Sequence, residues 1–256
     1  MKITPKMFEI SKDHPYANVS FLVFGERMCC SHPGMKPDNC TYPFLTTTAA
    51  KGIADAFSFD KIGVKGVRFP AFRNIITKIT AIRHPDPTCR ETQGEMRTMK
   101  LNAVKNKISY KKGIKPYNFE RWQRFVTFME NPCFKVDVRI CLLPIFDLRE
   151  DQPHKNIKSY KAIFERKVRK NHSYKGEISL GLAMFTAKLK PYDNEPILPL
   201  NIDIGPMIYD DVYNEIANIK IATRYFWARV VSGVMDCNWL DGHVKLQSNV
   251  EERIAL

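Results

Sequence analysis

The stretch from Phe21 to Phe59 constrains the fold more than any other part of the chain, because a strand, a loop and a helix follow one another in it. The apolar run Phe21–Phe24 predicts a strand. Proline, glycine and asparagine then punctuate a loop, and the threonines at 46–48 can cap a helix, since a hydroxyl oxygen accepts hydrogen bonds from the orphan N–H groups of a first turn. From 49 to 57 apolar side chains recur at helical spacing. The sequence therefore predicts a β-loop-α unit.

The same order of strand and helix returns further along the chain. Val67–Arg83 has isoleucines separated by threonine and lysine, a sheet-like composition. Residues 134–140 alternate between apolar and charged side chains, as in a strand with one wet face. Ile157–Arg169 predicts an amphipathic helix with a basic outer face, and Glu177–Leu189 predicts another strand. This order is the split β-α-β pattern of a ferredoxin-like fold, which is also the frame of RNA-recognition domains.

The last part of the chain predicts a small β-rich region. Ile202–Tyr213 and Arg224–Met235 have strand patterns, and Ser232-Gly233 is a turn signal near the end of the second. The tail Asp236–Leu256 is expected to be poorly ordered or docked on a partner.

Together these elements predict an α+β fold. A ferredoxin-like, RNA-recognition-like domain is expected over residues 1–195, followed by a small C-terminal β-sheet appendage over 196–256. The glycine at 181 lies inside a predicted strand and indicates a bulge or a close approach of two backbones.

The segment His84–Lys115 is long, polar and basic. A loop of this length is either disordered or functional. Lys111 and Lys112 are candidates for phosphate contacts, and Tyr110 and Tyr117 stand among the lysines, a combination that suits single-stranded nucleic acid.

The net charge of the chain points to a polyanionic partner. Its 40 lysines and arginines against 27 acidic residues give a net charge of +13, and a basic surface gains free energy by releasing counterions when it meets phosphates. An anionic membrane is the alternative polyanion, but no long amphipathic anchor is present.

The cysteines and the N-terminal sequence predict the cellular compartment of the protein. The seven cysteines are scattered without a CxxC pair, so we expect free thiols and no zinc site or other cofactor. The N-terminus lacks a signal-peptide core, and no apolar stretch reaches bilayer length. The sequence predicts a cytoplasmic protein with no membrane partner.

The N-terminal part resembles the type I-C CRISPR Cas-five family (the Dvulg subtype), a RAMP-superfamily subunit of Cascade. The residues that carry this resemblance are Gly25-Glu26, Pro33-Gly34-Met35-Lys36, Thr41-Tyr42-Pro43, Thr47, Ala50 and Gly52. Later stretches that resemble the same family, in the same order, are Glu120 to Arg124, Phe164 to Lys167, Leu180-Gly181, Asp203 to Asp210 and Phe226 to Ala228.

The resemblance implies a specific activity and specific partners. Members bind the CRISPR repeat, cut it without a metal, and stay on the 5′ handle of the guide RNA beside the large and backbone subunits of Cascade, which places them near target DNA only indirectly. The family's catalytic positions fall at Ser58 and at Ser159-Tyr160, where this sequence departs from the family pattern. Tyrosine is a poor base at neutral pH because its pKa is about 10.

Candidate site residues follow from the resemblance and from the basic helix. The proposed catalytic group is Tyr160, Lys158 and Lys161, with His172 as a nearby acid. The candidate RNA-binding residues are Lys36, Tyr42, Lys111, Lys112, Arg121, Arg124, Arg166, Lys167 and Arg169.

Three functions remain open on the sequence. The first is a Cascade subunit that binds the repeat and processes precursor CRISPR RNA as a metal-independent endoribonuclease. The second is a non-catalytic cap on the 5′ handle, with another nuclease maturing the RNA. The third is a general RNA-binding or ribosome-associated domain.

Overall fold

The structure is a computed structural model that describes residues 3–10, 14–32, 40–106, 119–151, 154–173, 177–214 and 219–250, with side chains omitted at 101–106, 119–124 and 249–250. Its helices are α1 (Thr47–Phe57) and α2 (Ile157–Lys170). Its strands are β1 (Tyr16–Phe24), β2 (Arg27–Met28), β3 (Lys61–Val64), β4 (Val67–Pro70), β5 (Phe72–Ala81), β6 (Met96–Asn106), β7 (Phe119–Glu130), β8 (Cys133–Leu142), β9 (Lys188–Lys190), β10 (Ile202–Asn214), β11 (Ile219–Val231), β12 (Val234–Asp236) and β13 (Gln247–Val250).

Four strands and both helices form the predicted split β-α-β arrangement. The order across the sheet is β5-β8-β1-β9, and each neighbouring pair is antiparallel. Thus β1-α1-β5 and β8-α2-β9 are two interleaved β-α-β units. This topology confirms the predicted α+β, ferredoxin-like fold.

The C-terminal strands extend the same sheet. β12 pairs with the edge of β5, with Val234 opposite Thr80, so the β10–β11 hairpin joins a sheet of eight strands. Ser232 and Gly233 both have left-handed φ angles, 49° and 81°, which confirms the predicted turn between β11 and β12. A division of the chain at residue 195 stays a prediction.

The expectation of a poorly ordered or partner-docked tail is wrong for its described part. β13 pairs with β11, with Gln247 opposite Tyr225. The segment between β12 and β13 is also bonded to the sheet, because Arg139 donates two hydrogen bonds to the carboxylate of Asp241. Residues 251–256 lie outside the described residues.

The predicted loop His84–Lys115 is also wrong over Met96–Asn106, which forms β6. β6 pairs with β7 in an unbroken register from Met96 opposite Met129 to Asn106 opposite Phe119. Each strand lies next to a partner that supplies its backbone hydrogen bonds, and this pairing overrides the polar composition from which we expected a loop. Lys111, Lys112 and both tyrosines of the loop lie outside the described residues.

The predicted strand Glu177–Leu189 is short, since only Lys188–Lys190 forms β9. The reason lies at Gly181, whose φ is +84° and where a Cβ would lie 1.9 Å from the carbonyl oxygen of Cys29. Leu182 N–H donates to that same oxygen at 3.1 Å. The close backbone approach predicted for this glycine is therefore confirmed, and it bends the chain out of a strand.

Both helices pack on one face of the sheet through a cluster of aromatic rings. The ring of Phe164 on α2 lies 5.7 Å from Phe21 on β1 and 6.4 Å from Phe57 on α1.

Each helix is capped at its N-terminus by a neighbouring side chain. Thr46 accepts from the N–H of Ala49 at the start of α1, and Asn156 accepts from the N–H of Ser159 at the start of α2. In the described part of the chain, neither helix has the length and apolar character needed to cross a bilayer.

Candidate functional site

The candidate site begins where α1 ends. Ser58, the position that the resemblance assigns to catalysis, is buried, and its N–H caps the helix by donating to Ala54. Its carbonyl oxygen accepts from the side-chain amide of Asn74, which also donates to Asp55 at 2.8 Å. The next side chain, Phe59, is 48% exposed. The structure thus buries the serine and presents the phenyl ring to solvent.

A carboxylate one residue further on connects α1 to α2. Oδ2 of Asp60 accepts from the Tyr160 hydroxyl at 3.0 Å and lies 2.7 Å from the Lys155 ammonium nitrogen. Oδ1 of Asp60 accepts from the N–H of Lys61 at 3.0 Å. This Asp60 cluster, formed by Asp60, Tyr160 and Lys155, therefore holds the start of α2 against the segment that follows α1.

Tyr160 is a buried donor in this cluster. Its side chain is packed between Phe72 and Phe146, with ring centroids 4.7 and 6.0 Å away. Burial, and then the negative charge of Asp60, raise the pKa of Tyr160 above its ordinary value of 10. The phenol therefore keeps its proton at neutral pH and donates a hydrogen bond to Asp60.

A cleft of about 440 Å³ opens beside Phe59. It is formed by the end of α1, the β3–β4 hairpin, the start of β5 and the end of β10. Its charged lining consists of Lys51, Lys61, Arg68 and Arg73 with the acids Asp55 and Asp211, and its exposed rings are those of Phe59 and Tyr213. We call it the basic cleft, since cations outnumber carboxylates in it.

The four residues predicted to form a catalytic group are not brought together. Tyr160 faces the core, whereas Lys158 and Lys161 are exposed on the other side of α2, where Lys161 lies 3.8 Å from Glu165. His172 lies past the end of α2, and the ten residues from Tyr160 to Lys170 already span about 15 Å at a rise of about 1.5 Å per residue. Tyr160 is the one of the four that lies near the family's first catalytic position. The catalytic assignments stay predictions.

The predicted RNA-binding residues occupy several separate surfaces. Arg166 and Arg169 are exposed on α2, and Lys167 between them is buried. Tyr42 is buried as well, and its hydroxyl donates to the carbonyl of Pro206 at 3.3 Å, so its visible role is structural.

The remaining candidates are placed only by their backbone or not at all. Arg121 and Arg124 lie in β7 opposite Val104 and Leu101. Lys36, Lys111 and Lys112 lie outside the described residues.

Sequence reasoning missed the Asp60 cluster. Asp60 and Tyr160 are 100 residues apart, and no local periodicity links them. Phe59 could have been found, because it directly follows the predicted helix and is adjacent to the position that the resemblance assigns to catalysis.

The arrangement provides two kinds of chemistry. The cations of the basic cleft can bind phosphates and Phe59 can stack on a base, while the Asp60 cluster holds a carboxylate that can accept a proton and a phenol that fixes the position of that carboxylate. Within the described ranges, no three His, Cys, Asp or Glu side chains are grouped so as to hold a metal ion.

Comparisons with known proteins place the chain among CRISPR-associated relatives. No known protein-family profile matches the sequence. The chain is 27% identical over 202 residues to the CRISPR pre-crRNA endoribonuclease Cas5d of Thermus thermophilus, which covers 78% of this chain and 75% of the relative. This similarity supports a relationship to the Cas-five family.

The fold also matches a solved structure. A crystal structure of the functionally uncharacterized protein SMU1763c from Streptococcus mutans aligns with a TM-score of 0.57 at 16% identity, covering 92% of this chain and all of that one. At this identity the match supports the fold alone.

Proposed function

We propose that this chain is a cytoplasmic, type I-C Cascade subunit of the Cas-five family that binds the 5′ handle of CRISPR RNA and cleaves the precursor without a metal. The observation that carries the proposal is the basic cleft beside Phe59. Its lining includes Ser58, the position that the resemblance assigns to catalysis, in a chain whose similarity to Cas5d covers 78% of its length.

The lining of the cleft suits a single RNA strand. Lys61 and Arg68 are exposed on the β3–β4 hairpin, and the Lys61 ammonium lies 5.7 Å from the centroid of the Phe59 ring. A base that stacks on Phe59 would bring its flanking phosphates within reach of these cations. Stacking with adjacent cationic contacts is the usual mode of single-strand binding.

Cleavage at this place would use the 2′-hydroxyl of the RNA as the nucleophile. Its oxygen bonds to the adjacent phosphorus while the bond from phosphorus to the 5′ oxygen breaks, and the departing 5′ oxygen takes up a proton from solvent. Such a reaction needs a group that accepts the hydroxyl proton and cations that stabilise the charge developing on the phosphate. Asp60 lies at the edge of the cleft, between the lining residues Phe59 and Lys61. Tyr160 is hydrogen-bonded to its carboxylate, and Lys155 supplies an ammonium at 2.7 Å from that carboxylate. We assign the proton transfer to this cluster, with the cleft cations on the phosphate.

The exposed basic face of α2 is a second cationic surface. Lys158, Lys161, Arg166 and Arg169 are assigned to phosphates further along the repeat, with His172 at the end of this face. The large and backbone subunits of Cascade are the proposed protein partners, and contact with target DNA is indirect.

A non-catalytic cap on the 5′ handle is the second candidate function. It is favoured by the state of Tyr160, whose side chain is 3% exposed and whose hydroxyl donates a hydrogen bond to Asp60. A phenol held in this way binds and positions but does not act as a base at neutral pH.

One incubation separates the candidates. The purified chain is mixed in EDTA with a labelled CRISPR repeat RNA. Cutting by the wild type would support the ribonuclease, and tight binding without cutting would support the cap. Failure to bind the repeat more tightly than an unrelated RNA of equal length would contradict both.

A further inference from the structure

A second cavity adjoins the basic cleft. It measures about 480 Å³ and lies between the N-terminal segment, the start of β5, the end of β10 and the start of β11. Arg73 and Tyr213 line both cavities, so the two form one continuous groove. Its volume is within the range of about 300–1,000 Å³ that small-molecule pockets occupy.

The second cavity differs from the basic cleft in charge. Arg224 in its lining is neutralised by Asp210, to which it donates two hydrogen bonds of 2.6 and 2.5 Å. The Arg224 guanidinium also lies 4.8 Å from the ring of Trp239. Glu9 balances Arg73, and the other walls include apolar side chains such as Phe8 and Ile221.

The difference in charge between the two cavities suits them to different parts of a nucleotide. A phosphate is favoured in the basic cleft, where cations are in excess, and an uncharged planar ring is favoured in a near-neutral, partly apolar cavity. Tyr213 stands at the junction with 43% of its surface exposed, so its ring face is open to stacking.

We propose that the second cavity holds one unpaired base of the RNA strand whose backbone lies in the basic cleft, stacked on Tyr213. The inference rests on the proposed function and adds a base-binding subsite to it. The occupant follows from the continuity of the groove and from the change in charge along it.

The test pairs a protein change with an RNA change. Repeat RNAs that each lack one base are titrated against the wild type and against Tyr213→Ala. The control variants are Tyr213→Phe, which keeps the stacking face, and Trp227→Ala, which removes an exposed ring that pairs opposite Pro206 on the same hairpin and lines neither cavity. Thermal unfolding confirms that each variant is folded.

We expect Tyr213→Ala to weaken binding of the intact repeat about tenfold, the scale of one lost base–aromatic stack, while both controls bind like the wild type. At one RNA position, removal of the base should weaken binding to the wild type by a similar factor. The same removal should not weaken binding to Tyr213→Ala any further, because that variant has already lost the stack. If the wild type binds the repeat but no position shows this coupling, the subsite is refuted and the proposed function stands. If the wild type does not bind the repeat, both fail.

Discussion

The phenolic hydroxyl of Tyr160 donates a hydrogen bond to the Asp60 carboxylate, with 3.0 Å between Oη and Oδ2. Tyr160 lies in the first turn of α2 and Asp60 lies three residues past the end of α1. The bond therefore fixes the start of one helix against the end of the other, at the edge of the basic cleft. Tyr160 then positions the carboxylate, and its own proton is not free for a base to remove.

Replacing Tyr160 by phenylalanine should lower stability and leave RNA affinity unchanged. The variant loses one hydrogen bond to a charged group, which lowers the free energy of unfolding by about 1–3 kcal/mol. RNA affinity is unchanged because Asp60 keeps two other donors, Lys155 and the N–H of Lys61. Urea unfolding and repeat-RNA titration measure the two quantities, and cleavage by the ribonuclease should slow. An affinity loss as large as that of a cleft variant would contradict the positioning role.

Replacing Phe59 by alanine should weaken RNA binding without affecting the fold. The ring is 48% exposed, so little core packing is lost, whereas one base–aromatic stack contributes about 1–3 kcal/mol to binding. Phe59→Tyr keeps the ring and is the matched control. If Phe59→Ala binds the repeat as tightly as Phe59→Tyr, the ring does not stack on the RNA.

Replacing Gly181 by alanine should unfold a large fraction of the protein. A Cβ at this position would lie 1.9 Å from the Cys29 carbonyl oxygen and would occupy a left-handed φ of +84°, so we expect a loss of at least about 3 kcal/mol. Gly52→Ala is the control, because no atom lies within 4 Å of its added methyl group and alanine stabilises a helix by about 1 kcal/mol over glycine. Equal thermal stability of the two variants would show that the close approach at Gly181 is wrong.

The stability of the fold should decrease as the pH falls below 6.5. His84 is buried, its Nδ1 accepts from the N–H of Asp86 at 3.1 Å, and burial lowers the pKa of His84 from its ordinary 6.5 despite the opposing effect of Asp86. The unfolded chain therefore takes up the proton at a higher pH than the folded chain does, and acid favours unfolding.

His84→Asn keeps a side-chain acceptor and removes the titration. The difference in unfolding free energy between wild type and variant should thus change between neutral pH and acid. A difference that is the same on both sides of pH 6.5 would contradict this assignment.

The elements that the sequence predicted correctly have local signals. The apolar spacing of Ile157–Arg169 predicted α2 within one residue of its observed end, and Ser232-Gly233 predicted the β11–β12 turn. Gly181 predicted a close approach of two backbones, because glycine within a strand pattern has few other uses. Such signals depend on neighbouring residues and can be read from the chain directly.

The features that were missed depend on distant partners. β6 was expected to be loop, since its strand character arises from pairing with β7. Asp60 carries no periodic signal, and its importance appears only when α2 brings Tyr160 and Lys155 to it. The basic cleft likewise combines residues from α1, β5 and β10, which no single window of sequence contains.

The salt dependence of RNA affinity tests the central claim, that the basic cleft is the RNA site, most directly. The double variant Lys61→Ala and Arg68→Ala is compared with the wild type and with Arg229→Ala, whose side chain is exposed and paired with Asp203 outside the cleft. We predict weaker binding and a log–log salt slope shallower by about 1.4 for the double variant, because each contact with a single-strand phosphate contributes about 0.7. Arg229→Ala should match the wild type, and an unchanged slope in the double variant, or the same change in Arg229→Ala, would contradict the account.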